Sequence, residues 1–125
     1  MIILTERQVI LLHRQLIEET GGIDGLRDKG LLQSALAAPF QSYDNIDMYP
    51  SIQQKGAKLG YGLIMNHPFI DGNKRIGAHA MLVFLELNHI ALNYTQEELI
   101  DIIMKTAAGQ CTFNELLSWV LNHQK

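Results

Sequence analysis

Apolar positions recur at intervals of three and four residues along most of the chain, which is the spacing of one face of an α-helix. Four of these segments begin with a Ser or Thr that is followed three residues later by Glu or Gln, a pair whose side chains can cap a helix start. The four pairs begin at Thr5, Ser51, Thr95 and Thr112. The pattern predicts a helix behind each pair, the first ending at Gly21 and the third at Gly109.

Two further segments predict helices without such a pair. Gly30–Ala38 is rich in Ala and Leu and stops before Pro39. Lys74–Asn88 is apolar on nearly every side, which is typical of a helix at the buried centre of a bundle. No segment alternates apolar and polar residues over a useful length, so strands should be few. The predicted fold class is therefore all-α, and the length of 125 residues predicts a single domain over residues 1–125.

The stretch from Pro39 to Pro50 interrupts the helical pattern with aromatic, polar and turn residues. A connection of about a dozen residues is long for a compact helical domain, and such loops often carry function. A plain surface connector is an equally good interpretation of the composition alone.

Charge and cysteine content exclude several classes of protein. Ten Lys and Arg against thirteen Asp and Glu give a net charge of −3, so direct nucleic-acid binding is not expected. The single Cys111 excludes an intramolecular disulfide, and no apolar stretch approaches the roughly 20 residues of a membrane span. The apolar start Met1–Leu4 is too short for a secretory signal. We expect a cytoplasmic protein that does not bind membranes.

Chemistry concentrates in one nine-residue segment, His67–Arg75, which reads HPFIDGNKR. Because Pro68 restricts the residue before it, we expect an extended backbone at His67 and a helix that ends near Asn66. The next helix should begin at Gly72 or Asn73, which leaves its first amide groups unpaired and directed into the loop.

These features together predict a site for an anion, most naturally a phosphate. The unpaired amides and the positive end of the helix dipole attract negative charge, and Gly72 lets a phosphate approach the backbone closely. Lys74 and Arg75 add positive charge beside them. Asp71 is a suitable ligand for a Mg²⁺ ion that bridges phosphates, and His67 is a suitable general base. The combination favours phosphoryl or nucleotidyl transfer.

A structural interpretation of the same residues stays open at this point. Asp71 or Asn73 could cap a helix in a surface turn, with Lys74 and Arg75 in a solvated first turn. However, two cations at a helix start oppose its dipole, and a bound anion would remove that penalty. His13 and His123 lie on helical segments and are expected to be structural.

The segment His67–Arg75 resembles the signature of the Fic/Doc superfamily, H-x-F-x-[DE]-[GA]-N-[GK]-R. It is most similar to the Doc (death on curing) branch, because Lys74 stands where Fic enzymes have a second glycine and Ala78 where they have a further arginine. The upstream stretch Gly21–Pro39 also resembles the Doc lead-in, G-G-x-x-G-x-R-D-x-G-L-L-x-S-A-L. The similarity extends over essentially the whole chain.

The resemblance implies a compact bundle of about six helices with the active loop leading into the central one. It also implies ATP and Mg²⁺ as cofactors. Doc is a toxin that transfers the γ-phosphate of ATP to a threonine of elongation factor Tu, which blocks translation, and an antitoxin inhibits it in trans. Transfer to a Thr or Ser hydroxyl of a protein target is therefore the expected function. The alternatives are AMP transfer, as in Fic enzymes, and a catalytically degenerate binding protein.

The resemblance also assigns roles residue by residue. It makes His67 the general base, Asp71 the Mg²⁺ ligand, and Phe69 the buried anchor of the loop. The phosphate-binding residues would be Gly72, Asn73, Lys74 and Arg75. A target-binding flap would lie between Pro39 and Pro50 and include Tyr43 and Ile46, and His79 is a further candidate site residue.

Overall fold

Six α-helices make up most of the structure, a computed structural model that describes residues 1–125. The helices are α1 (Glu6–Thr20), α2 (Lys29–Ala37), α3 (Ile52–Asn66), α4 (Asn73–Leu87), α5 (Gln96–Ala107) and α6 (Phe113–Asn122). A 3₁₀ turn, Ala38–Phe40, and two short strands, β1 (Ser42–Tyr43) and β2 (Ile46–Asp47), lie between α2 and α3. The all-α prediction is confirmed.

The four predicted capping pairs all form. In each, the Ser or Thr side chain accepts a hydrogen bond from the backbone three residues on, and the Glu or Gln side chain there accepts one from the capping residue's own N–H. The pairs are Thr5–Gln8, Ser51–Gln54, Thr95–Glu98 and Thr112–Glu115. Local hydrogen-bond chemistry therefore fixes where these helices begin.

Helices α3 and α4 form the centre of the bundle and run antiparallel. They cross closely at Gly60 and Gly77, where a Cβ atom on Gly77 would lie 2.5 Å from Ile64 Cγ1 and 3.0 Å from the Gly60 carbonyl oxygen. Fully buried side chains surround this crossing, among them Leu63, Ile76, Met81, Phe84 and Leu85. The short loop that joins the two helices is thereby held at one end of a rigid pair.

The segment from Pro39 to Pro50 is more ordered than its composition predicts. β1 and β2 pair as a hairpin, with Asp44 and Asn45 in the left-handed conformation at φ 52° and 62°. Asp and Asn tolerate this conformation, which a two-residue hairpin turn requires. The buried Lys55 donates a hydrogen bond to the Tyr49 carbonyl and lies 3.6 Å from Asp47 Oδ2. The base of the hairpin is thus fixed to the first turn of α3.

None of the six helices combines the length and the apolar character that a bilayer crossing would need.

Candidate active site

The site begins where α3 ends. Helix α3 stops at Asn66 as predicted, but His67 adopts φ 50° and ψ 54°, so the predicted extended backbone is wrong. Pro68 disfavours the right-handed conformation at His67, and a left-handed residue ends the helix equally well. Arg27 holds this end in place, because its Nε donates to the His67 carbonyl at 2.7 Å and its Nη2 to the Asn66 carbonyl at 3.1 Å.

The next residues are fixed from two sides. Phe69 is buried, as predicted, and its N–H and carbonyl form two 3.0 Å hydrogen bonds with the side-chain amide of Asn73. The N–H of Ile70 donates to the Gly25 carbonyl at 3.0 Å. Both polar atoms of the Asn73 side chain are used in this way. The main-chain N–H of Asn73 lies in the first turn of α4 and is available to a phosphate, so phosphate binding by this residue stays a prediction.

The carboxylate of Asp71 is held by main-chain donors. The N–H of Ile23 donates to Oδ2 at 3.1 Å, and the N–H of Gly72 donates to Oδ1 at 2.8 Å. These two hydrogen bonds, the one from Ile23 first, lower the pKa of the Asp71 carboxyl below its usual 3.8, and the nearby Arg75 and His13 act in the same direction. The group therefore stays ionised near neutral pH, in the form that binds cations and phosphate-bound metals.

Helix α4 starts without a side-chain cap, whereas the other five α-helices each have one. Its N-cap is Gly72, in the left-handed conformation at φ 78°, and its first turn holds no acidic residue. The N–H groups of Asn73, Lys74 and Arg75 have no intrahelical acceptor because they lie in the first turn. The positive end of the α4 dipole is therefore not neutralised by a side-chain cap and can bind an anion.

A cleft of about 330 Å³ brings most of the predicted residues together. Its lining consists of His67, Ile70, Asp71, Gly72, Asn73, Lys74 and Ala107. His67 is exposed, and its Nδ1 lies 3.2 Å from the Met65 carbonyl oxygen. Because a carbonyl can only accept, Nδ1 carries the proton in the neutral ring, and Nε2 keeps the lone pair that a general base needs.

Arg75 and His79 face a second cavity beside the cleft. Arg75 donates from Nη1 to the Gly21 carbonyl at 2.7 Å and to the Thr20 hydroxyl, and its Nη2 lies 3.8 Å from Asp71 Oδ1. We call this cavity, of about 430 Å³ between α1, α4 and α5, the groove. It is lined by Leu16, Thr20, Lys74, Arg75, Ala78, His79, Leu82, Tyr94, Gln96, Leu99, Ile100, Ile103 and Met104. Lys74 lines both cavities, whereas His79 lines the groove and not the cleft.

Tyr43 and Ile46 are not brought to the cleft. They pair with each other in the hairpin and are 81% and 71% exposed. The hairpin is fixed to the first turn of α3, whereas His67 follows the last turn of the same helix. From Lys55, where the hairpin is attached, to His67 the chain advances twelve residues at about 1.5 Å each, or about 18 Å along the axis. The predicted flap therefore lies at the opposite end of α3 from the active loop.

The donor set fits a Mg²⁺ ion that binds together with phosphates. Asp71 is the only acidic side chain that lines the cleft, and no cluster of three or more His, Cys, Asp or Glu could hold a metal. Mg²⁺ typically takes one or two carboxylates and completes its shell with water and phosphate oxygens. Each Asp71 oxygen accepts one backbone hydrogen bond and retains a lone pair for such an ion.

Sequence reasoning missed the second layer of the site. The segment Gly22–Ile23 approaches Asp71 so closely that a Cβ atom on Gly22 would lie 2.6 Å from Asp71 Oδ2. His13, which the sequence marks only as a helical histidine, is buried and contacts the active loop. The adjacent glycines after α1 are a sequence signal for the close approach of Gly22–Ile23 to Asp71. The sequence contains no signal for the contact of His13 with the loop.

The fold and the loop define an all-helical domain with a site in which a histidine, a carboxylate and an uncapped helix start meet. Residues 3–85 match the family model described as the Fic/DOC family, and the chain belongs to this family. The chain is also 33% identical over 98 residues to a protein named Toxin Doc from Mycolicibacterium smegmatis. The match covers 77% of this chain and 75% of that protein.

Proposed function

We propose that this protein is a Doc-like toxin that transfers the γ-phosphate of ATP to a Thr or Ser hydroxyl of a protein target, such as elongation factor Tu, and so blocks translation. The observation that carries the proposal is the cleft, because it places the imidazole of His67, the ionised Asp71 and the unpaired amides of α4 around one opening. The likeness to a protein named as a toxin supports the same conclusion.

The proposed reaction uses these groups in separate roles. Nε2 of His67 accepts the proton of the target hydroxyl as its oxygen bonds to the γ-phosphorus, and the bond between this phosphorus and the β,γ-bridging oxygen breaks to release ADP. The N–H groups at the start of α4 and the Lys74 ammonium stabilise negative charge on the phosphates. Asp71 would hold the Mg²⁺ ion, which supplies further charge neutralisation when bound.

The choice of γ-phosphoryl over AMP transfer rests on two positions. Lys74 adds a long charged side chain at the helix start, where a glycine would expose only backbone. Ala78, one turn further along α4, lines the groove and offers no donor to a phosphate. Both features disfavour the nucleotide orientation that presents the α-phosphate.

We also propose that an antitoxin inhibits the protein in trans and occupies the groove. The groove has eight hydrophobic residues among its thirteen, and Ile100 and Met104 on its lining are 53% and 52% exposed. Because Lys74 lines the groove and the cleft, an occupant of the groove would restrict this side chain. The exposed hairpin remains a proposed contact for the target, at a distance from the cleft.

The test is to incubate the purified protein with a bacterial lysate, Mg²⁺ and ATP labelled at either the γ- or the α-phosphate. The variant His67→Asn should lose at least a hundredfold of the γ-label transfer, because Asn keeps a left-handed conformation but cannot act as the base.

The matched control is His89→Asn. His89 is also exposed and left-handed, at φ 66°, but it follows the far end of α4 and lines neither the cleft nor the groove. This variant should transfer label like the wild type. Transfer of α-label would establish AMP transfer instead, and transfer of neither label would contradict an enzymatic function.

A further inference from the structure

His13 connects the first helix to the active loop through one short hydrogen bond. It lies on α1, 58 positions before Asp71, and is only 1% exposed. Its Nε2 lies 2.7 Å from the Asp71 carbonyl oxygen. Since a carbonyl can only accept, Nε2 carries the proton and donates it, which fixes the orientation of the Asp71 peptide.

The same ring also supports the loop by stacking. The imidazole of His13 lies parallel to the Phe69 ring, with the centroids 3.8 Å apart and the planes 9° from parallel. His13 therefore holds two alternate residues of the loop, one through its ring face and the other through a hydrogen bond. Asn73 fixes the Phe69 backbone through two further hydrogen bonds.

A histidine is an unfavourable choice if this position only fills space. Its Nδ1 is buried without a hydrogen-bond partner, and the nearest carboxylate oxygen, Oδ1 of Asp24, is 3.5 Å away. A buried polar atom without a hydrogen bond costs free energy that an apolar side chain would avoid. The hydrogen bond from Nε2 to the Asp71 carbonyl is the one hydrogen bond that the ring makes, and an apolar side chain at this place could not provide it.

We propose that His13 is a positioning residue that sets the Asp71 peptide for phosphoryl transfer. With the Asp71 carbonyl held, its carboxylate stays on the N–H groups of Ile23 and Gly72, and Gly72 keeps the left-handed conformation that starts α4. His13 itself does not line the cleft. The expected effect of His13 on phosphoryl transfer rests on the proposed function, whereas its effect on the orientation of the Asp71 peptide does not.

The test compares His13→Gln with His13→Met. Both variants lose the ring, and their unbranched side chains have similar length. Only Gln has an N–H donor, and its nitrogen is as many bonds from Cα as Nε2 of histidine is. We expect kcat/KM for γ-phosphate transfer to fall about ten- to a hundredfold in the Met variant, the usual effect of losing a group that orients a metal-binding side chain. The Gln variant should recover most of it. His123→Met is the control for removing a stacked histidine elsewhere, and its kcat/KM should equal that of the wild type.

A second readout does not depend on activity. The backbone amide signals of Ile23 and Gly72 in ¹⁵N-edited NMR spectra report the hydrogen bonds to the Asp71 carboxylate. These signals should shift in His13→Met and return toward their wild-type positions in His13→Gln. If the Met variant does not fold, His13→Phe, which retains the ring stack without the donor, replaces it.

Equal kinetic constants and unshifted amides in the donor-free variant would overturn the proposal. Equal impairment of the Gln and Met variants would also overturn it, because loss of the ring alone would then explain the effect. An inactive wild type would contradict the proposed function, and the amide signals would still decide the role of His13.

Discussion

At the scale of single residues, the site depends on main-chain groups more than on side chains. Two backbone N–H groups hold the Asp71 carboxylate, and three more at the start of α4 are free for an anion. The Asn73 side chain holds the Phe69 backbone through two hydrogen bonds. Substituting the named side chains therefore tests only part of the site, and the glycines that allow the close approach of the backbone are equally informative.

Alanine substitutions at Gly22 and Gly21 distinguish the effect of a local clash with Asp71 from the effect of backbone strain. Both glycines have positive φ, at 120° and 86°, so alanine at either should lower the free energy of unfolding by about 1–3 kcal/mol. A Cβ atom on Gly22 would also lie 2.6 Å from Asp71 Oδ2 and 2.9 Å from Arg75 Nη2, whereas one on Gly21 would meet nothing within 4 Å. Only Gly22→Ala should therefore reduce γ-phosphate transfer, by about tenfold or more.

Urea unfolding and initial rates of label transfer measure the two effects separately. A Gly21→Ala variant that lost as much transfer as Gly22→Ala at equal stability would contradict the role given to the close contact with Asp71.

At the scale of helices and strands, the sequence predicts a great deal because the signals are local. A Ser or Thr and its Glu or Gln partner lie three residues apart, so the capped starts of α1, α3, α5 and α6 can be recognised without knowing the fold. The proline rule predicts the end of α3 correctly but predicts an extended His67, whereas the residue is left-handed. The hairpin was missed because its strands have two residues each and its turn lacks glycine.

The candidate site likewise consists of residues that a local motif predicts and of long-range contacts that the sequence does not predict. His67, Asp71, Gly72, Asn73 and Lys74 are near neighbours in the chain, so a motif predicts them together, and the structure gathers them in one cleft. The contacts of His13 and Ile23 to Asp71 span 58 and 48 positions. Only the packing of α1 against α4 creates those contacts, and no periodicity along the chain encodes them.

The pairing of Glu98 with His123 joins the first turn of α5 to the end of α6. The imidazole Nε2 lies 2.8 Å from Glu98 Oε2. The hydrogen bond from His123 lowers the pKa of Glu98 below its usual 4.5, and the hydrogen bond to Glu98 raises the pKa of His123 above its usual 6.5. The stabilisation from Glu98 is present above pH 4.5 and is lost as the pH falls through the lowered pKa. That from His123 is present below pH 6.5 and is lost as the pH rises through the raised pKa.

We therefore expect His123→Phe, which retains an aromatic ring against Trp119, to be less stable than the wild type mainly between about pH 4.5 and 6.5. Melting temperatures measured from pH 3 to pH 9 should differ most in that range and less on both sides of it, where loss of the hydrogen bond between Nδ1 and the Trp119 carbonyl still contributes. A difference that does not change with pH would show that the variant disturbs packing rather than this pair.

At the scale of the whole molecule, the net charge of −3 contrasts with the cations at the start of α4. Lys74 and Arg75 lie beside the uncapped helix end, where they add to the positive end of the dipole. The molecule therefore combines an acidic surface overall with a local positive site, which fits the proposed nucleoside triphosphate better than a long polyanion. The adjoining groove is apolar, so a partner there would have to bring apolar side chains to the edge of this positive site.

A substitution in the groove tests the proposed binding of an antitoxin. Ile100→Asp places a charge on the groove lining, at a side chain that is 53% exposed, so the fold should tolerate it while the affinity for the antitoxin falls at least tenfold. Leu121→Asp is the matched control, because Leu121 is 46% exposed on α6 and does not line the groove. Co-expression with the antitoxin and calorimetric titration measure the effect. The Ile100 variant should arrest growth despite the antitoxin, whereas the Leu121 variant should remain inhibited. Equal affinities of the two variants for the antitoxin would place the inhibitory contact elsewhere on the molecule.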